Sequence, residues 1–215
     1  MLILANITRG GKLLKSKRIY TLLILIPVLL VLAVCSSGNA QVYKMEPDTF
    51  SKRDMAIYKV DNSKERVSYG MSRKNAEKVL GTGNEGISNW YTYDSGVSVL
   101  YRHDKAVVIT LERVSQGAYK TARGAEVGTN KERIKELYGE KYAIENASET
   151  MKSLKYLEYY YDTETKELAK EYPSDFKSLS KKELRAKHLL STTYDEDGKI
   201  VLIILMDGQA TNTFE

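Results

Sequence analysis

Apolar positions recur at helical spacing twice along this chain, in two stretches that align without a gap. Gly70-Met71-Ser72-Arg73-Lys74-Asn75-Ala76-Glu77-Lys78-Val79-Leu80-Gly81 matches the segment from Gly128 to Gly139 at a constant offset of 58. Ala76, Val79 and Leu80 share one face, as do Ile134, Leu137 and Tyr138, so each copy predicts a short amphipathic helix with one stripe to bury. Ser72, and Thr129 or Asn130, stand where a side-chain oxygen caps the first free N–H groups, and Thr129 with Glu132 has capping-box spacing. Gly81 and Gly139 suit the left-handed position that ends a helix.

Behind each helix the period changes to that of strands. Trp90 to Asp94 is a strand, followed by a hairpin of Val97 to Tyr101 and Ala106 to Leu111 around Arg102-His103-Asp104-Lys105. Tyr156 to Tyr161 matches the first strand in the second copy. Leu189 to Tyr194 and Lys199 to Met206 match the hairpin, around Asp195-Glu196-Asp197-Gly198. Thr163 to Lys187 is an insertion rich in Lys and Glu, broken by Pro173, with a short helix near Ser180 to His188. A helix with one stripe beside antiparallel strands with one face to bury forms an α+β layer. The expected fold is α+β, built of two tandem repeats. Each is a short helical segment packed on an antiparallel sheet of three to four strands, over residues 56–118 and 119–215, the latter with insertion 163–187.

The first 35 residues have the layout of an export leader. Lys12, Lys15, Lys17 and Arg18 precede an apolar run from Ile19 to Val34, which Cys35 closes. Leu32-Ala33-Val34-Cys35 resembles the lipobox of bacterial lipoproteins, whose cysteine is lipidated and becomes the new N-terminus. That resemblance implies a domain held on the extracytoplasmic side of the cell membrane by a lipid on Cys35. An ordinary cleavage site at Gly38-Asn39-Ala40 and an uncleaved membrane span remain alternatives, and both also export the domain. Residues 36–55 show no apolar period apart from a strand candidate from Met55 to Val60, and read as a tether.

Charge and cysteine content follow this partition. The chain has 33 basic and 28 acidic residues; the leader holds five of the bases and no acid, leaving 28 of each beyond it. The excess positive charge therefore belongs to targeting, and the exported part has no electrostatic footprint for nucleic acid. With Cys35 the single cysteine, a disulfide framework or cysteine zinc cluster is out of reach.

Two copies of a unit reading Gly, polar helix, Gly, aromatic strand and hairpin, in an exported chain, resemble the tandem fold of β-lactamase inhibitory protein. The single unit is similar to the small outer-membrane lipoproteins of the barrel-assembly machinery. Thr121-Ala122-Arg123-Gly124-Ala125-Glu126-Val127-Gly128-Thr129, running into Leu137-Tyr138-Gly139, resembles repeats of Gram-positive lipoproteins. The resemblance spans about residues 65–207 and implies a fold, not an activity.

Catalytic patterns are sparse. His103 falls in a hairpin turn, and His188 follows a Lys-rich helix whose C-terminal end favours a cation. The glycines between Gly81 and Gly86 follow a helix and do not open one, so they lack the dipole of a phosphate loop. Asp195-Glu196-Asp197-Gly198 lacks the later acid of a calcium loop and reads as a hairpin turn. No catalytic residue, metal or cofactor is expected; an envelope hydrolase using Asp94, Glu112 or Asp195 is the alternative from another class. What stands out is 16 Tyr beside 3 Phe and 1 Trp. Tyrosine gives a large flat contact and a polar tip at low entropic cost, which suits binding surfaces. One helix layer covers one sheet face, so alternation leaves aromatics on the other. Trp90, Tyr91, Tyr156 and Tyr160 are the candidate contact residues for a protein or peptide partner of the cell envelope, with a cell-wall glycan or small ligand as the other ligand class.

Overall fold

A computed structural model describes residues 45–147, 155–171 and 176–211. The leader, Cys35 and tether residues 36–44 lie outside the described residues. Within them the chain is mixed α+β, with four short α-helices and antiparallel sheets. Strands β1 (Ala56–Lys59) and β2 (Arg66–Ser68) precede helix α1 (Arg73–Leu80). Next come β3 (Asn84–Glu85), β4 (Trp90–Tyr93), β5 (Val97–Arg102), β6 (Lys105–Leu111) and β7 (Tyr119–Thr121). Helix α2 (Lys131–Tyr138) leads to β8 (Ile144–Ala147), β9 (Lys155–Asp162) and β10 (Glu167–Leu168). Helix α3 (Lys181–Ala186), strands β11 (Lys187–Tyr194) and β12 (Ile200–Asp207), and helix α4 (Gly208–Thr211) complete the order.

The main sheet runs β10-β9-β11-β12-β6-β5-β4-β3, with β8 also paired to β9. A small sheet, β2-β1-β7, joins α1 and α2 over one face of it. Val97, Val99, Tyr101, Ile109, Leu190, Leu205, Leu157 and Tyr159 point into that helix side and form the larger core with Ile57, Ala76, Ile134 and Tyr138. Strands β6 and β12 meet at the centre, with Thr110 opposite Ile204.

The two halves of the sheet share local detail. Both eight-residue helices sit at the offset of 58. The Gly70 N–H donates to the Ala106 carbonyl (2.8 Å), and the Gly128 N–H to the Ile200 carbonyl (2.7 Å). Ser72 bridges to Lys105, and Asn130 to Lys199. The register skips Val107 between β5 and β6, and Val201 between β11 and β12. Counted from these bulges, Trp90 on β4 corresponds to Tyr156 on β9, each opposite the residue before the skip, Leu100 and Thr193.

Several local expectations are corrected. Neither Ser72 nor Asn130 makes a side-chain cap bond; the capping boxes lie at Ser51 and Ser180 instead. Gly81 (φ 85°, ψ −171°) and Gly139 (φ 97°, ψ 154°) have positive φ but extended ψ, a region essentially limited to glycine, so the chain leaves each helix straight instead of curling back. Residues 45–55, expected in the tether, pack on the domain. Phe50 is buried against Tyr138 and Tyr161. Arg123 clamps the segment: its guanidinium donates to the Asp54 carboxylate (2.5 Å) and to the carbonyls of Glu46, Thr49 and Leu137. A single arginine thus uses its planar fork to satisfy a loop that has no strand partner.

Candidate binding face

The second face of the main sheet is divided in two. Its first half carries Leu100, Val108, Met206, Leu189 and Tyr160, which lie in one row by register. Phe176, Leu184 of α3 and Ala210 of α4 cover this row and form a second core. Two elements hold the cover in place. Ser180 and Glu183 form the capping box that starts α3, and the Asp207 carboxylate accepts the Ala210 N–H (2.9 Å) at the start of α4. Burying Phe176 and Leu184 contributes about 1.5–3 kcal/mol each, enough to fix so short a cover.

The other half has no cover among the described residues. Thr92, Ser98, Thr110, Ile204, Ser191 and Glu158 form its first row; Leu202, Thr193 and Tyr156 form the next. A shallow groove of about 670 Å³ lies here, and Trp90, Thr92, Glu112, Val114, Leu202 and Ile204 are among the residues that line it. Val114 is 71% exposed, and Leu202 and Ile204 are half-buried at the middle of the sheet. Two carboxylates are held on this surface by hydroxyls. Glu112 accepts from Ser98 (2.9 Å); Glu158 accepts from Ser191 and Tyr160 (2.8 Å each).

The candidate aromatics separate accordingly. Trp90 and Tyr156 are half-buried on the second face. Tyr91, at 6% exposure, points to the helix side, where the Arg73 guanidinium lies 4.6 Å from its ring centre. Tyr160 is on the expected face but only 5% exposed, because the Lys- and Glu-rich insertion delivers Phe176 onto it. Tyr91 and Tyr160 are thus buried where an exposed contact residue was expected. The residues missed are Leu202, Ile204 and Val114, which an apolar strand and a turn gave no reason to place in water.

His188 also departs from expectation. It is the second residue of β11, opposite Asp207, and is 3% exposed, with its ring 4.7 Å from that of Tyr69. Burial pushes its pKa down to about 4, against the pull of the nearby Asp207 carboxylate. It is neutral at pH 7. Asp207 is fully buried and accepts a two-pronged ion pair from Arg102 (2.8 and 3.1 Å) and a bond from the Tyr69 hydroxyl (2.7 Å). The carboxylates Asp94, Glu112 and Asp195 fall at three separate strand ends, and Asp195 is occupied in closing its own turn by accepting the Lys199 N–H (2.9 Å). Among the described residues no cluster of three or more His, Cys, Asp or Glu can hold a metal, and no helix is long and apolar enough to cross a membrane. Comparison of the chain with protein-family models, curated proteins and solved structures gives no match.

Proposed function

We propose that this protein is an exported lipoprotein, held to the outer side of the cell membrane through Cys35, whose domain binds a protein or peptide without catalysis. In this reading the domain is a duplication of one α+β unit, joined through β6 and β12. The equal helix offset, the paired bulges at Val107 and Val201 and the matching Gly70 and Gly128 bonds support it. The insertion and α4 then cap one half of the second sheet face, and the related half has no such cap among the described residues.

One observation carries the functional reading: Leu202 and Ile204 stand half-buried at the centre of the sheet, with no element laid over them among the described residues. A soluble domain rarely leaves such a groove in water unless a partner fills it. Trp90 lines its edge, beside the covered row, and Tyr156 lies on the same face in the row of Leu202. The test uses domain 45–215, which forms a compact unit of its own. Immobilised wild-type domain is compared with Leu202→Glu and Ile204→Glu variants for capture from envelope extract, with melting temperature recorded for each. Loss of one captured protein at unchanged melting temperature supports the reading. Capture that is indifferent to both substitutions sinks it.

A further inference from the structure

The fixed charges of the open half point to the chemistry of its occupant. Glu112 directly follows β6 and Glu158 lies on β9, with β12 and β11 between them. Neither carboxylate has a basic side chain within ion-pair distance among the described residues. Each is instead oriented by hydroxyls that grow from the sheet itself: Ser98 for Glu112, Ser191 and Tyr160 for Glu158. A hydroxyl fixes the direction of a carboxylate without neutralising it, so both negative charges remain available to a ligand. Arg113, the groove's single cation, is on the exposed turn after β6 and outside the sheet. Between the two acids lie Leu202 and Ile204 of β12, the apolar floor.

Resting on the docking reading above, we infer that the captured segment is basic and extended, with two cationic side chains four residues apart and an apolar one between them. Three strand intervals of about 4.8 Å, with an offset of about two residues along the strands, place Glu112 and Glu158 roughly 16 Å apart. In an extended chain, residues i and i+4 point the same way and lie about 13 Å apart, and the length of a lysine side chain covers the rest. Residue i+2 points to the same side and meets Leu202 and Ile204. The segment therefore crosses β12 and β11 over the face and does not add to an edge. A partner with acids at these positions is rejected by like charge.

Three fluorescein-labelled dodecapeptides test this: three repeats of Lys-Ser-Leu-Ser, of Glu-Ser-Leu-Ser, or of Gln-Ser-Leu-Ser. Each is titrated by fluorescence anisotropy against the full-length protein in a non-ionic detergent, with empty micelles as blank. The lysine peptide is expected to bind at least tenfold tighter than the glutamate peptide, and the gap narrows as salt is raised. Glu112→Gln with Glu158→Gln erases the gap, whereas Glu132→Gln, an exposed acid of α2 on the other side of the sheet, leaves it unchanged. Equal binding of all three peptides, lost in Leu202→Glu, overturns the charge assignment and leaves the docking face standing. A lysine preference that survives the double Gln variant overturns it as well, since the attraction then lies elsewhere.

Discussion

Acidification should weaken this domain through His188 before its carboxylates begin to titrate. The unfolded chain takes up a proton at His188 near pH 6.5, whereas in the fold burial holds the pKa at about 4. The folded value is the lower one, so this contribution is fully present above pH 6.5 and is lost as pH falls towards 4. Two features of the site oppose the charged form: the ring is buried against Tyr69, and Asp207 is already matched by Arg102. Lys52 adds a further positive charge nearby. With one proton at stake, the loss between pH 7.5 and pH 5 comes to about 2 kcal/mol, and to about 3 kcal/mol by pH 4. Urea unfolding at half-unit steps from pH 7.5 to 5 reads this directly, in a window where ordinary carboxylates stay ionised in both states. His188→Gln keeps a polar, neutral side chain and should flatten the slope. An equal slope in wild type and His188→Gln would refute the argument, whatever the stability of the variant at pH 7.5.

Other consequences follow from single contacts. Arg123→Met leaves the Asp54 carboxylate buried without its partner and should cost about 3–5 kcal/mol in urea unfolding, with proteolysis newly admitted between residues 45 and 55. Gly139→Ala should cost 1 kcal/mol or more, because φ is 97° and a Cβ would collide with the backbone and carboxylate of Asp48; Gly81→Ala, with open space at the same conformation, should cost less. Cys35→Ala should abolish incorporation of labelled fatty acid and leave a precursor of higher mass, while equal labelling of the two proteins would remove the lipid anchor from the account.

Helices α1 and α2 and strands β4, β5, β6, β9, β11 and β12 were legible because each has an internal signal: a 3.6-residue stripe in α1 and α2, alternation in β4 and β9, an Asp-Gly turn before β12; the short strands β2, β3, β7, β8 and β10 carry none. The cap over Tyr160 was not. Phe176 and Leu184 sit in a charged, Pro-broken stretch, and their burial comes from a tertiary contact with Leu189 and Met206 that no local period announces. For the same reason alternation placed Tyr160 on the correct face but gave no measure of its exposure. His188 was misread because the helix ends at Ala186, so that Lys187 and His188 open a central strand. Residues 45–55 looked like tether for want of a pattern, since their order depends on one arginine far along the chain.

The open half of the sheet is tested most directly by recording what touches it in the cell. A photo-activated cross-linking amino acid is placed singly at Leu202, at Tyr156 and, as a control on the outer surface of the cap, at Lys182. The full-length protein is expressed in a Gram-positive host and irradiated in intact cells. The account predicts a discrete adduct of the same mass from positions 202 and 156, and none from 182. Adducts from position 182 alone, or from no position, would contradict it.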